Sequence, residues 1–198
     1  MSSGRTTSAR AAGSRSEGAV TNAYDPAAWH DFFLTAGTAA AALTGLLFVA
    51  LSIHLDRILG HAEHRFRARG NFFGLTVVLV TALIVLIPTL NGRWMGAWLI
   101  ATNAAAAALT TWHFRSVLPS FFGGSIVFQL RVALAYVLIL IGAIGGVSVI
   151  LEVGGGLAWP AAESIGMLLI ALLGAWSLLV GVAQNSDRPV AQPPPAST

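Results

Sequence analysis

The chain contains neither cysteine nor lysine among its 198 residues, and only 10% of its residues are charged. Without cysteine it can form no disulfide and offers no thiolate to a metal ion. Without lysine it cannot form the Schiff base through which retinal or pyridoxal phosphate is held. Soluble domains carry about 25% charged residues. The low charge, together with a hydrophobic fraction of 56%, excludes an ordinary water-soluble domain.

What the chain has instead is five apolar runs, each about as long as the roughly 20 residues that cross a bilayer. They cover residues 32–53, 71–90, 94–112, 132–151 and 164–182, and none contains Asp, Glu, Lys, Arg or His. The runs predict an all-α integral membrane protein, a bundle of about five transmembrane helices. An ionisable residue inside a membrane usually marks a proton relay or a catalytic group, so these runs carry no sign of an activity.

One membrane domain, residues 25–184, is expected between two tails. Residues 1–24 are rich in Ser, Gly, Ala and Arg, and residues 185–198 contain three consecutive prolines. Both compositions favour disorder. Turn and cap signals mark the helix ends: Asp25-Pro26, Asn71, Asn91-Gly92, the glycines 154–156, and Pro160 with Glu163, which we place in the first turn of the fifth helix.

The segment 117–130 does not fit this scheme. It is largely apolar, but Pro119 and Gly123-Gly124 interrupt it, and its 14 residues are too few to span a bilayer. We predict a short interfacial or re-entrant segment before the fourth span; a sixth span is the alternative.

Arginine predicts the orientation, because basic residues concentrate in cytoplasmic loops. The loop between the first two runs holds Arg57, Arg65, Arg67 and Arg69, and the loop before the fourth run holds Arg115 and Arg131, whereas the intervening loops hold only Arg93. The N-terminus should therefore lie outside and the C-terminus in the cytoplasm. Arg65, Arg67 and Arg69 are expected to contact anionic lipids, at about 1 kcal/mol each. The arginine distribution accounts for the basic charge without a nucleic-acid partner.

Small residues at four-residue spacing predict close helix packing. Gly37, Ala41 and Gly45 form one such stripe, and Gly142 and Gly146 form another. Whether they pack within one subunit or between subunits remains open. The first run is narrow at its start and bulky at its end, and the third is the reverse. We therefore predict contact between these two helices. Phe48 and Leu47 should lie near residues 104–108, and Trp94 or Trp98 near Gly37 and Ala41.

Few polar residues lie within the runs. Asn103, at mid-depth, should hydrogen-bond between helices, with a pore-lining role as the alternative. The Ser and Thr hydroxyls are expected to bond to their own helix backbones. His61 and His64, at i and i+3, could share a metal, but they match no established ligand pattern, and we expect neither a metal nor a cofactor.

No catalytic motif is present: there is no HExxH, GxSxG or phosphate loop. The expected function is therefore that of a non-enzymatic accessory or regulatory membrane protein, acting through contacts with lipids and with itself or a larger membrane complex. A homo-oligomeric channel or transporter subunit with a Thr/Ser-lined pore is the alternative. A weaker third hypothesis is a pH or metal sensor that uses His54, His61, His64 and His113.

The run WHDFFLTAGTAAAALTGLLFVALS, Trp29 to Ser52, resembles the first span of a family of small multi-span membrane proteins of GC-rich bacteria. Most members are uncharacterised, and some are labelled modulators of a membrane-bound AAA protease. The resemblance implies a multi-pass protein of the bacterial plasma membrane, in agreement with the Ala- and Gly-rich composition. No site residue is carried over with it.

Overall fold

The computed structural model describes residues 22–53, 62–121 and 126–186, and that part of the chain is all-helical. A 3₁₀ turn, Pro26–Trp29, leads into the first of five α-helices. The helices are α1 (His30–Ile53), α2 (Ala62–Val85), α3 (Gly92–Phe121), α4 (Ile126–Leu151) and α5 (Ala158–Ser186).

Three stretches of these helices are long and apolar enough to cross a membrane: Pro26–Ala50, Gln129–Leu151 and Ala158–Trp176. A fourth apolar stretch, Gly70–Val85, is shorter. The prediction of a helical membrane protein is confirmed at this level.

Several helix ends follow the sequence signals. Asp25 caps the 3₁₀ turn, its Oδ1 accepting a hydrogen bond from Ala27 N at 3.0 Å. Asn91 caps α3 in the same way through Trp94 N, also at 3.0 Å. After α4, Gly154 and Gly155 take φ values of +88° and +113°, which only glycine adopts without steric cost.

Two predicted boundaries were wrong. Asn71 does not begin a helix, because α2 already starts at Ala62 and buries Asn71 in its interior. The segment 117–130 is not a separate element either: α3 continues to Phe121 and α4 begins at Ile126. Residues 122–125 lie outside the described part.

Helices α2, α3, α4 and α5 form a four-helix ring in which each helix packs on the next and α5 closes the ring on α2. Facing residues run in opposite order along neighbouring helices: Gly96 and Asn103 face Gly146 and Gly142, while Gly142 in turn faces Glu163. The ring is therefore antiparallel. Helix α1 lies outside it, against α2 and α5.

This position of α1 overturns the predicted contact between the first and third helices. Gly37 faces Ala82 of α2 instead, and α3 packs on α4 and α2. Phe48, Trp94 and Trp98 are each more than half exposed. Large apolar side chains can face lipid at little cost. The bulky end of one helix and the narrow end of the other therefore did not have to pack together.

Helices α3 and α4 approach each other closely at Gly96 and Gly146. A methyl group added at Gly96 would lie 2.5 Å from the carbonyl oxygen of Gly146, and one added at Gly146 would lie 2.8 Å from the carbonyl oxygen of Gly96. Any side chain here would have to push the two backbones apart.

The segment before α1 closes one end of the bundle. Ala23 O accepts a hydrogen bond from Leu157 N at 2.9 Å, and the Tyr24 hydroxyl accepts one from Gly155 N at 3.1 Å. Ala23 and Tyr24 belong to the stretch assigned to the N-terminal tail, so ordered contacts begin before residue 25. Residues 1–21 and 187–198 lie outside the described part.

Replacing Gly96 by Ala is expected to destabilise the protein by about 1–3 kcal/mol, the range for overpacked sites. Gly45→Ala is the matched control, because no atom lies within 4 Å of a methyl group there and alanine favours a helix. Thermal unfolding of the two variants in detergent measures the difference. Equal midpoints would contradict the assigned α3–α4 contact.

A buried carboxyl group in the four-helix ring

Glu163 lies in α5, five residues after its start, and its side chain is only 1% exposed. The sequence predicts that the fifth apolar run begins at residue 164 and that Glu163 lies in the first turn of the helix. The helix and its membrane-spanning stretch begin at Ala158. The predicted start of the fifth run at residue 164 was therefore wrong, and the membrane-spanning stretch contains an ionisable residue.

The carboxyl group fits into a space that Gly142 leaves open. A methyl group at Gly142 would overlap the Glu163 carboxyl group, and it would lie 2.6 Å from Nδ2 of Asn103. Asn103, itself 1% exposed, is the polar side chain that faces the carboxyl group. Helices α3, α4 and α5 thus each contribute one residue to this site.

The polar atoms of the site are incompletely hydrogen-bonded. Asn103 Nδ2 donates to Leu99 O of its own helix at 3.1 Å. Asn103 Oδ1 and both carboxyl oxygens of Glu163 have no hydrogen-bond partner among the described residues. Two buried hydroxyl groups, those of Ser164 and Thr81, also have none there. Buried polar groups are normally paired, so this concentration of unpaired atoms marks a place where something else can bind.

Thr81 belongs to the same level of the bundle. Asn71 of α2 faces Gly174 of α5. Helices α2 and α5 are antiparallel. Thr81 follows Asn71 by ten residues and Ser164 precedes Gly174 by ten residues, so Thr81 and Ser164 lie at the same depth in the bundle. The fourth helix of the ring therefore also places a polar residue at this level.

Apolar clusters lie on both sides of this polar level. One, towards the Tyr24 end, includes Phe33, Leu99 and Leu157; the other, on the far side, includes Ala106, Ile139 and Met167. A bare carboxylate between two apolar clusters is costly to maintain. The group must therefore take up a proton or hold a cation.

A proton fits the surroundings better than a metal ion. In the part of the chain that the structure describes, no three His, Cys, Asp or Glu residues gather. The site offers one carboxyl group, one amide oxygen and two hydroxyl groups, whereas calcium takes six to eight oxygen ligands and magnesium six.

The other residues predicted from sequence are distributed as follows. Gly142 and Gly146 are buried inside the ring, and Gly37 is buried against α2, whereas Ala41 and Gly45 are exposed. Arg65, Arg67 and Arg69 belong to α2, but their side chains lie outside the description, as do those of His64 and His113. His54 and His61 fall in the undescribed segment 54–61.

Most hydroxyl groups on the helix exteriors bond to the carbonyl oxygen four residues earlier, as expected. This group comprises Thr35, Thr38, Thr44, Ser52, Thr76 and Thr102. Ser148 departs from the pattern: its hydroxyl donates to Val153 O and accepts from Gly156 N. It thereby holds the loop after α4.

No protein-family model, curated protein or solved structure matches the chain.

Gly142→Ala is expected to expel the Glu163 carboxyl group and to destabilise the protein. Glu163→Ala should relieve that overlap, so the double variant should be more stable than the sum of the single effects by about 0.5–3 kcal/mol, as for residues in contact. Unfolding free energies of the four proteins measure this coupling. Gly146→Ala is the control, because its methyl group would meet Ile100 and not Glu163. If Gly142→Ala and Gly146→Ala show equal coupling to Glu163→Ala, the assigned contact between Gly142 and Glu163 is contradicted.

Proposed function

We propose that this chain is a non-enzymatic regulatory membrane protein whose state is set by proton uptake and release at Glu163. In this proposal it has five spans in a bacterial plasma membrane, with its N-terminus outside. It transmits its state by lateral contact with itself or with a larger membrane complex.

The observation that carries the proposal is the position of Glu163. It is the only Asp, Glu, Lys, Arg or His in residues 158–182, and the other four apolar runs contain none. An intramembrane ionisable residue is costly and is usually retained for function. A carboxyl group at the junction of three helices gives protonation a direct effect on their packing.

The exposed side of α1 supports the lateral contact. Helix α1 buries Ala36, Gly37 and Ala40, whereas Ala41 and Gly45 are exposed. Small residues allow two helices to approach closely in lipid. The stripe predicted from sequence is therefore divided: its first member packs on α2, and the other two are available to a partner.

The same helix contains the run that resembles the protease-modulator family. A membrane-bound AAA protease is thus one candidate for the larger complex, and a second copy of this chain is another. The arginines at positions 65, 67 and 69 would add contacts to anionic lipids.

A pore lined by Ser and Thr has less support. The exterior hydroxyl groups that such a pore would use already bond to their own backbones. The unpaired polar atoms lie inside one four-helix ring, and none of them faces a neighbouring subunit from the exterior.

Self-association in liposomes, measured by energy transfer between labelled copies across a pH series, tests the proposal. The unmodified protein should change its association constant with pH by about 5–150-fold, the usual range of coupling between two sites. Glu163→Gln, which keeps the shape but cannot ionise, should remove this dependence. Glu152→Gln is the control, because Glu152 is exposed in the loop after α4. An unchanged pH profile in Glu163→Gln would contradict the proposal.

A further inference from the structure

A cavity of about 90 Å³ lies between the four helices of the ring. Its outer end is formed by Gly70 and Arg131, and its inner end by Ala106, Ile139 and Met167. These three inner residues lie three or four positions from Asn103, Gly142 and Glu163, which is one helical turn on each helix. The cavity thus ends one turn from the buried carboxyl group.

The cavity contains polar groups suited to water. Asn71, 4% exposed, lines it, and its Nδ2 has no hydrogen-bond partner among the described residues. Thr110 and Arg131 also line it. Apolar cavities of this size remain empty, whereas water enters one that offers two or more polar partners.

The dimensions also agree with water. Each water molecule takes about 30 Å³, so the cavity has room for about three. The guanidinium group of Arg131 donates to Ile170 O at 3.2 Å, and Ile170 is two turns from Glu163, or about 10 Å along the helix. Three waters in a hydrogen-bonded file cover the part of that length between Ile170 and Met167, and the last turn, from Met167 to Glu163, lies beyond the cavity.

We propose that this cavity is a one-sided water path that carries protons between Glu163 and the end of the bundle at which Arg131 lies. A proton leaves the carboxyl oxygen for the nearest water molecule, and another returns along the same chain of water molecules. The opposite end is closed by the apolar cluster around Leu157 and by the Tyr24 contacts. This inference rests on the proposed function of Glu163 and adds the ligand and its route.

Met167 is the residue that controls the inner end. It is buried, and its sulfur would lie 3.4 Å from a methyl group added at Gly74 of α2. Methionine has a flexible, unbranched side chain, so rotation of Met167 can join the cavity to the carboxyl group. A stiff or branched residue at this position would block the path.

The charged groups along the path favour a proton over a metal ion. Within residues 70–85, 94–112 and 132–151, the parts of α2, α3 and α4 that face Glu163, there is no Asp, Glu, Lys, Arg or His. Tyr136 is engaged with the Thr111 hydroxyl at 2.9 Å. The cavity lining therefore offers a metal cation no carboxylate ligand, and Arg131 adds positive charge at its outer end.

The test is the rate at which the Glu163 carboxyl group exchanges its proton for deuterium. Full-length protein in lipid is transferred into heavy water, and the infrared carbonyl band that is absent from Glu163→Gln is followed with time. Ala106→Leu fills the inner end and should slow the exchange several-fold. Met167→Ala opens it and should speed the exchange several-fold. Ala104→Leu, on the exposed face of α3, is the control and should leave the rate unchanged.

Ala106→Leu and Met167→Ala are expected to change the exchange rate in opposite directions. If one of them fails to fold, the other still tests the proposal. Exchange at the unmodified rate in a folded cavity variant would overturn the water path and leave Glu163 as a proton site. If no band is specific to Glu163, the proposed function fails as well.

Discussion

The packing of the four-helix ring depends on placing the Glu163 carboxyl group between helices that offer it few hydrogen-bond partners. Gly142 supplies the space, and Asn103 supplies the facing polar group. This geometry exists because α3 and α4 approach closely at Gly96 and Gly146, which lie two turns from Asn103 and one turn from Gly142, towards the Tyr24 end. In lipid no hydrophobic effect draws helices together, so such close backbone contacts fix the register that brings Asn103 opposite Gly142.

The two ends of the bundle differ in ways that match a one-sided site. At one end, the segment before α1 hydrogen-bonds to the loop after α4, and Phe33 and Leu157 are fully buried. At the other end, Asn71, Thr110 and Arg131 line a cavity that points towards the carboxyl group. With the orientation that the arginines predict, the cavity faces the cytoplasm.

The sequence predicted the helical class and the helix ends marked by Asp25, Asn91 and the glycines 154–156, because apolar length, caps and glycines act locally. It did not predict which helices pack together. Trp94 and Trp98 face outward because lipid accepts large apolar side chains, and the local sequence does not distinguish a lipid-facing side chain from one that packs on another helix. The sequence placed Glu163 at a helix start and did not predict its burial inside the span. Pro160 and Glu163 resemble an ordinary helix start, and only the apolar residues Leu157, Ala158 and Ala161 before Glu163 indicate that the span begins earlier. The role of Gly142 required the packed structure.

The most direct test of a proton-exchanging carboxyl group inside the ring is carbon-13 NMR of the glutamate side chains in lipid-embedded protein across a pH series. We expect one carboxyl signal that titrates separately from the other glutamate signals and disappears in Glu163→Gln. If every glutamate signal titrates together as in water, Glu163 is not buried between the helices, and the account is wrong.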